Sequence, residues 1–152
     1  MIHFFILVNR VGKCRLQRWF DGAPEKEQTR IIRELATAVL TRSSKLCNFL
    51  EYKGLKVVYR KYASLYFITG IDPQDNEFVI LELIQQYVEM LDAYFGSVCE
   101  LDLVFNFHKA YYLLQELLMA GEILDTSKKV ILQAMKTQDI NEASEMEGVP
   151  EI

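Results

Sequence analysis

What most limits the fold is the order in which hydrophobic periodicity changes along the chain. Ile2 to Val8, apolar at every position but His3, is a run of strand length, the pattern of a strand covered on both faces. Val11-Gly12 offers a tight turn, and Lys13 to Phe20 reads as the second arm of a hairpin. Strict alternation along that arm puts Cys14, Leu16 and Arg18 on one face and Lys13, Arg15, Gln17 and Trp19 on the other, with Arg15 toward solvent or a partner. After the loop Asp21-Gly22-Ala23-Pro24 the period changes. Pro24 followed by Glu25 and Glu27 opens a helix, and Ile32, Leu35, Ala36 and Val39 repeat at helical spacing to about Thr41. Three further strands follow, Asn48 to Tyr52, Leu55 to Lys61 and Ser64 to Ile71, punctuated by Lys53-Gly54 and Tyr62-Ala63.

The remainder is helical. Asp72-Pro73-Gln74-Asp75 leads into a long helix, Asn76 to Phe95, with Glu77, Leu81, Ile84, Val88, Leu91 and Phe95 on one face. Ala110, Tyr111, Leu114, Leu117 and Leu118 make another that stops near Gly121, and Thr126 caps a last one through Val130, Ile131 and Ala134. Two strands, a helix, three strands and then helices is not an alternating pattern. It predicts an α+β domain with a five-stranded, mainly antiparallel sheet. With 152 residues, 51% of them hydrophobic, one such domain with its own core is expected. It spans residues 1–137, followed by an acidic tail, 138–152, expected to be disordered.

Between the long helix and its successor lies Phe95 to Phe107, FGSVCELDLVFNF. Gly96 stands where a left-handed helix stop is needed, and Ser97 with Glu100 reads as a capping box for a new helix. The sharp turn brings Val98, Leu101 and Leu103 toward Val88 and Leu91. The result is either a plain helix–helix core contact, the commoner use of apolar helix faces, or a shallow apolar groove.

Catalytic and metal chemistry find little support. His3 and His108 have no second histidine at ligand spacing, and Cys14, Cys47 and Cys99 form neither a CxxC pair nor a disulfide framework. Cys99 at a helix start, with His108 as its base, is the one conceivable nucleophile, but a free cysteine is more often a small core residue. No GxGxxG, HExxH or GxSxG occurs. No enzyme, cofactor or metal is expected. Seventeen Lys plus Arg against 21 Asp plus Glu give a net charge of −4, which argues against nucleic acid as the partner. The basic stretch Lys53, Lys56, Arg60 and Lys61 fits a solvated or partner-facing strand better than a lipid or nucleic-acid face. Phe4 to Val8 is interrupted by Asn9-Arg10 and is far short of the roughly 20 residues of a membrane span, so the expected location is cytosolic. The apolar helical face exceeds what one small sheet can cover, which points to a partner surface.

Tyr59-Arg60-Lys61-Tyr62-Ala63-Ser64-Leu65-Tyr66-Phe67, Asp75-Asn76-Glu77, Tyr94 through Leu103, Phe105-Asn106-Phe107 and Ala120-Gly121-Glu122 resemble, in order, the signatures of the sigma (small) subunits of clathrin-associated adaptor complexes. The resemblance covers about residues 1–137 and implies a longin-like fold without enzymatic activity. Ser64, Ser97, Lys56 to Tyr59 and Thr126 to Lys129 look most like the trans-Golgi and endosomal complex, the plasma-membrane paralogue usually carrying glycine and asparagine at positions 64 and 97. Implied partners are a gamma-type large subunit bound directly, beta-type large and mu-type medium subunits completing a heterotetramer, and clathrin and the membrane only indirectly.

The resemblance further implies that cargo tails bearing acidic dileucine signals bind here. Ala63, Leu65, Val88, Val98, Leu101 and Leu103 would line pockets for the two aliphatic residues, with Ser97 at the rim and Arg15 facing the acidic residue. The alternatives are the sigma subunit of the plasma-membrane adaptor and a purely structural longin-type coat subunit without a cargo site. Departures from the family pattern lie in Asp21 to Gln28, Thr69 to Pro73 and the tail.

Overall fold

A computed structural model describes residues 1–42, 48–120 and 139. The expected fourth large helix after Thr126 and all of the tail but Asp139 lie outside the described residues. Five strands, β1 (Ile2–Asn9), β2 (Cys14–Trp19), β3 (Phe49–Tyr52), β4 (Leu55–Tyr62) and β5 (Leu65–Ile71), form one sheet in the order β2-β1-β5-β4-β3. Every neighbouring pair is antiparallel. The helices are α1 (Glu25–Thr41), α2 (Glu77–Phe95), α3 (Glu100–Phe105) and α4 (Phe107–Ala120). This is the longin-like α+β arrangement.

The apolar run is fully used. Phe4 through Val8 are all 0% exposed, because alternate side chains enter two separate cores. Phe4, Ile6 and Val8 meet Ile31, Leu35, Ala36 and Val39 of α1 on one face. Phe5 and Leu7 meet Tyr87, Val88 and Leu91 of α2 and Leu113, Leu114 and Leu117 of α4 on the other. Burial of this kind contributes roughly 1.5–3 kcal/mol per large side chain, and it requires helices on both faces of the sheet. Tyr87 ties the second layer together. Its ring stands edge-on to Phe5 and Phe67 at centroid distances of 5.6 and 6.0 Å, and its hydroxyl donates to the Ala110 carbonyl at 2.7 Å, joining α2 to α4. Complete burial pushes that phenol well above its ordinary pKa.

Two details depart from simple periodicity. In α2 the buried stripe is Ile80, Ile84, Tyr87, Val88 and Leu91, displaced from the expected face, so that Leu81 and Phe95 are only partly buried. In β2 the pairings Leu7 with Leu16 and Val8 with Cys14 leave Arg15 without an opposite residue, a β-bulge. Leu16 therefore joins the α2–α4 core and Cys14 packs toward α1, instead of sharing a face. Arg15 is not turned away from the Leu16 face as alternation predicts. The bulge directs it to α3.

Gly70 pairs with Phe4 across the sheet, and a Cβ at position 70 would come within 2.4 Å of the Phe4 ring. That ring is held in turn against Trp19, with centroids 5.0 Å apart, so it cannot retreat freely. Gly70→Ala is expected to cost about 1–3 kcal/mol by overpacking. Urea unfolding measures it, and an unchanged midpoint would show that Phe4 has another place to go.

Candidate functional site

Three turns meet at one end of the sheet. The β1–β2 hairpin turn, the β4–β5 turn and the α2–α3 turn all lie there, since Asn9 at the end of β1 pairs with Leu65 at the start of β5 and Tyr62 at the end of β4 also pairs with Leu65. Asp92, near the end of α2, organises the third turn. Its backbone carbonyl accepts the Gly96 and Ser97 amides at 2.8 and 3.2 Å. Its carboxylate accepts the Val98 amide at 2.8 Å and the Tyr62 hydroxyl, the latter contact raising the Tyr62 pKa. Gly96 ends α2 in the left-handed conformation, φ 69°, as the sequence predicts. Ser97 follows at φ 79°, which rules it out as the cap of α3, since that position needs extended backbone. Cys99 takes the role at φ −133°, and Asp102 accepts its amide at 2.9 Å. The capping box thus sits two residues later than expected, and Glu100 is free for other contacts.

The expected site residues are placed as follows. Leu65, Val88, Val98 and Leu103 converge in a single buried cluster, each 3% exposed or less. Leu101 is 62% exposed on the outer side of α3, and Ala63 and Ser97 are exposed on their turns. Ala63 is also left-handed, at φ 54°. Two of the three non-glycine residues with positive φ among the described residues therefore flank the cluster, a conformation that costs an L-residue roughly 1–2 kcal/mol.

Arg15 reaches the same end. Its Nε donates to Glu100 Oε1 at 2.8 Å, and that oxygen also accepts Asn9 Nδ2 at 2.7 Å. The hydrogen bond from Asn9, and then that from Arg15, hold the Glu100 carboxyl below the usual carboxylate range. Asn9 is buried, and its Oδ1 accepts the amides of Val11 and Lys13 at 3.0 and 2.8 Å. Neither Asn9 nor Glu100 was selected from the sequence as part of a site. The signal available was an asparagine ending an apolar strand beside Arg10, which sequence reading treats only as an interruption.

Other candidates are used elsewhere. Lys56 pairs with Glu77 at 2.8 Å and donates to the Asp75 carbonyl at 3.1 Å, lowering the Glu77 pKa. Lys53 lies 3.6 Å from Glu34 and Lys61 Nζ 5.8 Å from the Tyr66 ring centroid, so most of the basic stretch serves internal contacts. Cys99 and His108 are both exposed, and no hydrogen bond joins them among the described residues. Among those residues no group of three or more His, Cys, Asp or Glu could hold a metal ion, and no helix is long and apolar enough to cross a membrane. A surface cavity of about 390 Å³, lined by Phe49, Leu55, Lys56, Pro73 and Glu77, lies at the opposite end of the sheet.

Fold and site define a longin-like domain whose notable feature is a ring of turns around an apolar cluster and one arginine. Residues 1–142 match the clathrin adaptor complex small chain family. The chain is 58% identical to AP-1 complex subunit sigma-2 of Arabidopsis thaliana over 91% of its own length and 86% of that protein. It is 54% identical to AP-1 complex subunit sigma-1A of Homo sapiens, covering 92% and 89% of the two chains. It also superposes with a TM-score of 0.75 and 26% identity on a chain of a full-length AP-3 complex described as a homology model in a stretched open conformation, covering 99% of this chain and all of that one. The chain belongs to the clathrin adaptor small-chain family, whose members are structural trafficking proteins and not enzymes.

The left-handed backbone at position 63 can be relieved without touching the cluster. Ala63→Gly should raise stability by about 0.5–1 kcal/mol, a gain of about 1–4 °C in melting temperature. Differential scanning calorimetry decides this, and a loss of stability would mean that the Ala63 methyl packs usefully despite its exposure.

Proposed function

We propose that this chain is the small subunit of an AP-1-type clathrin adaptor. It stabilises the heterotetrameric core through a gamma-type large subunit, with beta-type and mu-type subunits completing the assembly, and it receives acidic dileucine signals from cargo tails. It works on the cytosolic face of trans-Golgi, endosomal and coated-vesicle membranes. Identity of 54–58% to AP-1 sigma subunits supports the assembly. Exposed Phe78 and Val79 at the start of α2, and Val104, Phe105 and Phe107 around the α3–α4 junction, supply apolar surface for a large partner. The observation that carries the cargo reading is Arg15 on a bulge beside the Leu65, Val88, Val98 and Leu103 cluster. A cation and an apolar cluster then stand at the same end of the sheet, as an acidic residue followed by two leucines requires.

Labour divides between the two parts. Burying two leucines contributes roughly 1.5–3 kcal/mol each before ordering costs. The half-exposed charge contact adds about 0–1 kcal/mol and sets register. One observation favours the purely structural alternative: the four cluster residues are each 3% exposed or less, so leucines enter only where one or more of them moves aside. The same burial makes Val88→Asp a poor test, because a carboxylate there would break the core.

Fluorescence anisotropy with an acidic dileucine peptide and its Ser-Ser control, titrated into the chain co-expressed with a gamma-type large-subunit trunk, separates the readings. Selective binding is expected, weakened up to about fivefold by Arg15→Ser at low salt and less at high salt. Equal binding of both peptides to the assembled complex would leave the structural role alone. Equal loss at both salt concentrations would remove Arg15 as the group that faces the acid.

A further inference from the structure

Arg15 is not a free cation awaiting a ligand. Its Nε is bonded to a carboxylate of its own chain at 2.8 Å, while its terminal Nη atoms have no partner among the described residues. The carboxylate is itself fixed. Asn9 Oδ1 is taken by two backbone amides of the hairpin turn, so the amide nitrogen must point outward, and it donates to the same Glu100 oxygen. The chain of contacts runs from the β1–β2 turn through buried Asn9 to Glu100 and then to Arg15. A long, flexible side chain is thereby held by one edge, and its other edge, with up to four N–H donors in a planar fork, stays available.

Such an arrangement has two opposed effects on an incoming carboxylate. Anchoring Nε removes rotamer freedom from Arg15 before binding, which favours the complex. A second negative charge beside the guanidinium repels the newcomer and offsets the attraction. Arg10, exposed on the same hairpin, adds positive field at Glu100 but is not a partner in the Nε contact.

Resting on the cargo reading above, we propose that Glu100 is a positioning residue and a built-in rival for the acidic group of the signal. It orients Arg15 and limits the preference for an acidic over a neutral residue at that place in the ligand. Charge and anchor can be separated. Glu100→Gln keeps an acceptor oxygen for Arg15 Nε and Asn9 Nδ2 but removes the charge, whereas Glu100→Ala removes both.

The test uses the complex with the large-subunit trunk and two dileucine peptides, one with glutamate at the acidic position and one with glutamine. Glu100→Gln should raise the ratio of their affinities about 3–10-fold, Glu100→Ala should raise it less, and the gain should vanish in Arg15→Ser/Glu100→Gln. An unchanged ratio in Glu100→Gln, in a complex that still prefers Leu-Leu over Ser-Ser, overturns the rival role while the cargo reading stands. A gain in Glu100→Ala equal to or above that in Glu100→Gln overturns the positioning role. Absence of Leu-Leu over Ser-Ser preference in the unmutated complex overturns the cargo reading, and this inference with it.

Discussion

A run of five strand residues that shows no side chain to water dictates most of this molecule. Because Phe4 through Val8 are buried on both faces, β1 must lie inside the sheet with a helical layer on each side. Helix α1, in the connection between β2 and β3, supplies the first layer. The helices after β5 supply the second. Antiparallel neighbours β2 and β5 close on β1 from either side, and their turns are thereby brought to the end where Asn9 emerges. The location of the candidate site is thus a by-product of core burial. Leu65, Val88, Val98 and Leu103 belong to that core themselves, so the apolar part of the site is the end of the core.

At that end, polar groups do what apolar packing cannot. Asp92 gathers the amides of Gly96, Ser97 and Val98 and the Tyr62 hydroxyl, so the reversal between α2 and α3 is fixed to the end of β4. Asn9 does the same for the hairpin and Glu100. Each is a short residue satisfying several donors or acceptors at once, Asp92 through its carbonyl as well as its carboxylate, which is how a tight turn avoids buried unpaired backbone groups. The left-handed Ala63 and Ser97 are held in place by this framework, and the cost of their conformation falls where contacts on both sides over-determine the backbone.

Element type and order were legible because they rest on periodicity over many residues. All five strands and the long helix α2 appear within a residue or so of where the hydrophobic pattern puts them. Gly96 was legible for the same kind of reason, since a left-handed stop strongly selects that residue. Alternation and resemblance both single out Arg15, but alternation turns it to the wrong face, because a bulge is a one-residue slip in register that alternation cannot reveal. The cap of α3 was misplaced because Ser97 satisfies the composition of a capping box while its φ, set by Asp92 five residues earlier, forbids the role. The link between Glu100 and Asn9 is invisible in the sequence for a related reason. They are 91 residues apart, and no local pattern joins them.

These contacts also bear on how an acidic ligand could be chosen at all. The chain carries a net charge of −4, so its overall field does not draw an anionic peptide toward it, and at physiological ionic strength that field fades over about 8 Å in any case. Arg15 and Glu100 together are close to neutral at a distance. Selection of an acidic residue must then be decided at hydrogen-bonding range, at the outward edge of one guanidinium whose orientation is already set. Affinity from apolar burial and selectivity from a nearly neutral ion pair would be separately adjustable. Changing the carboxylate beside Arg15 alters the second without disturbing the core that provides the first.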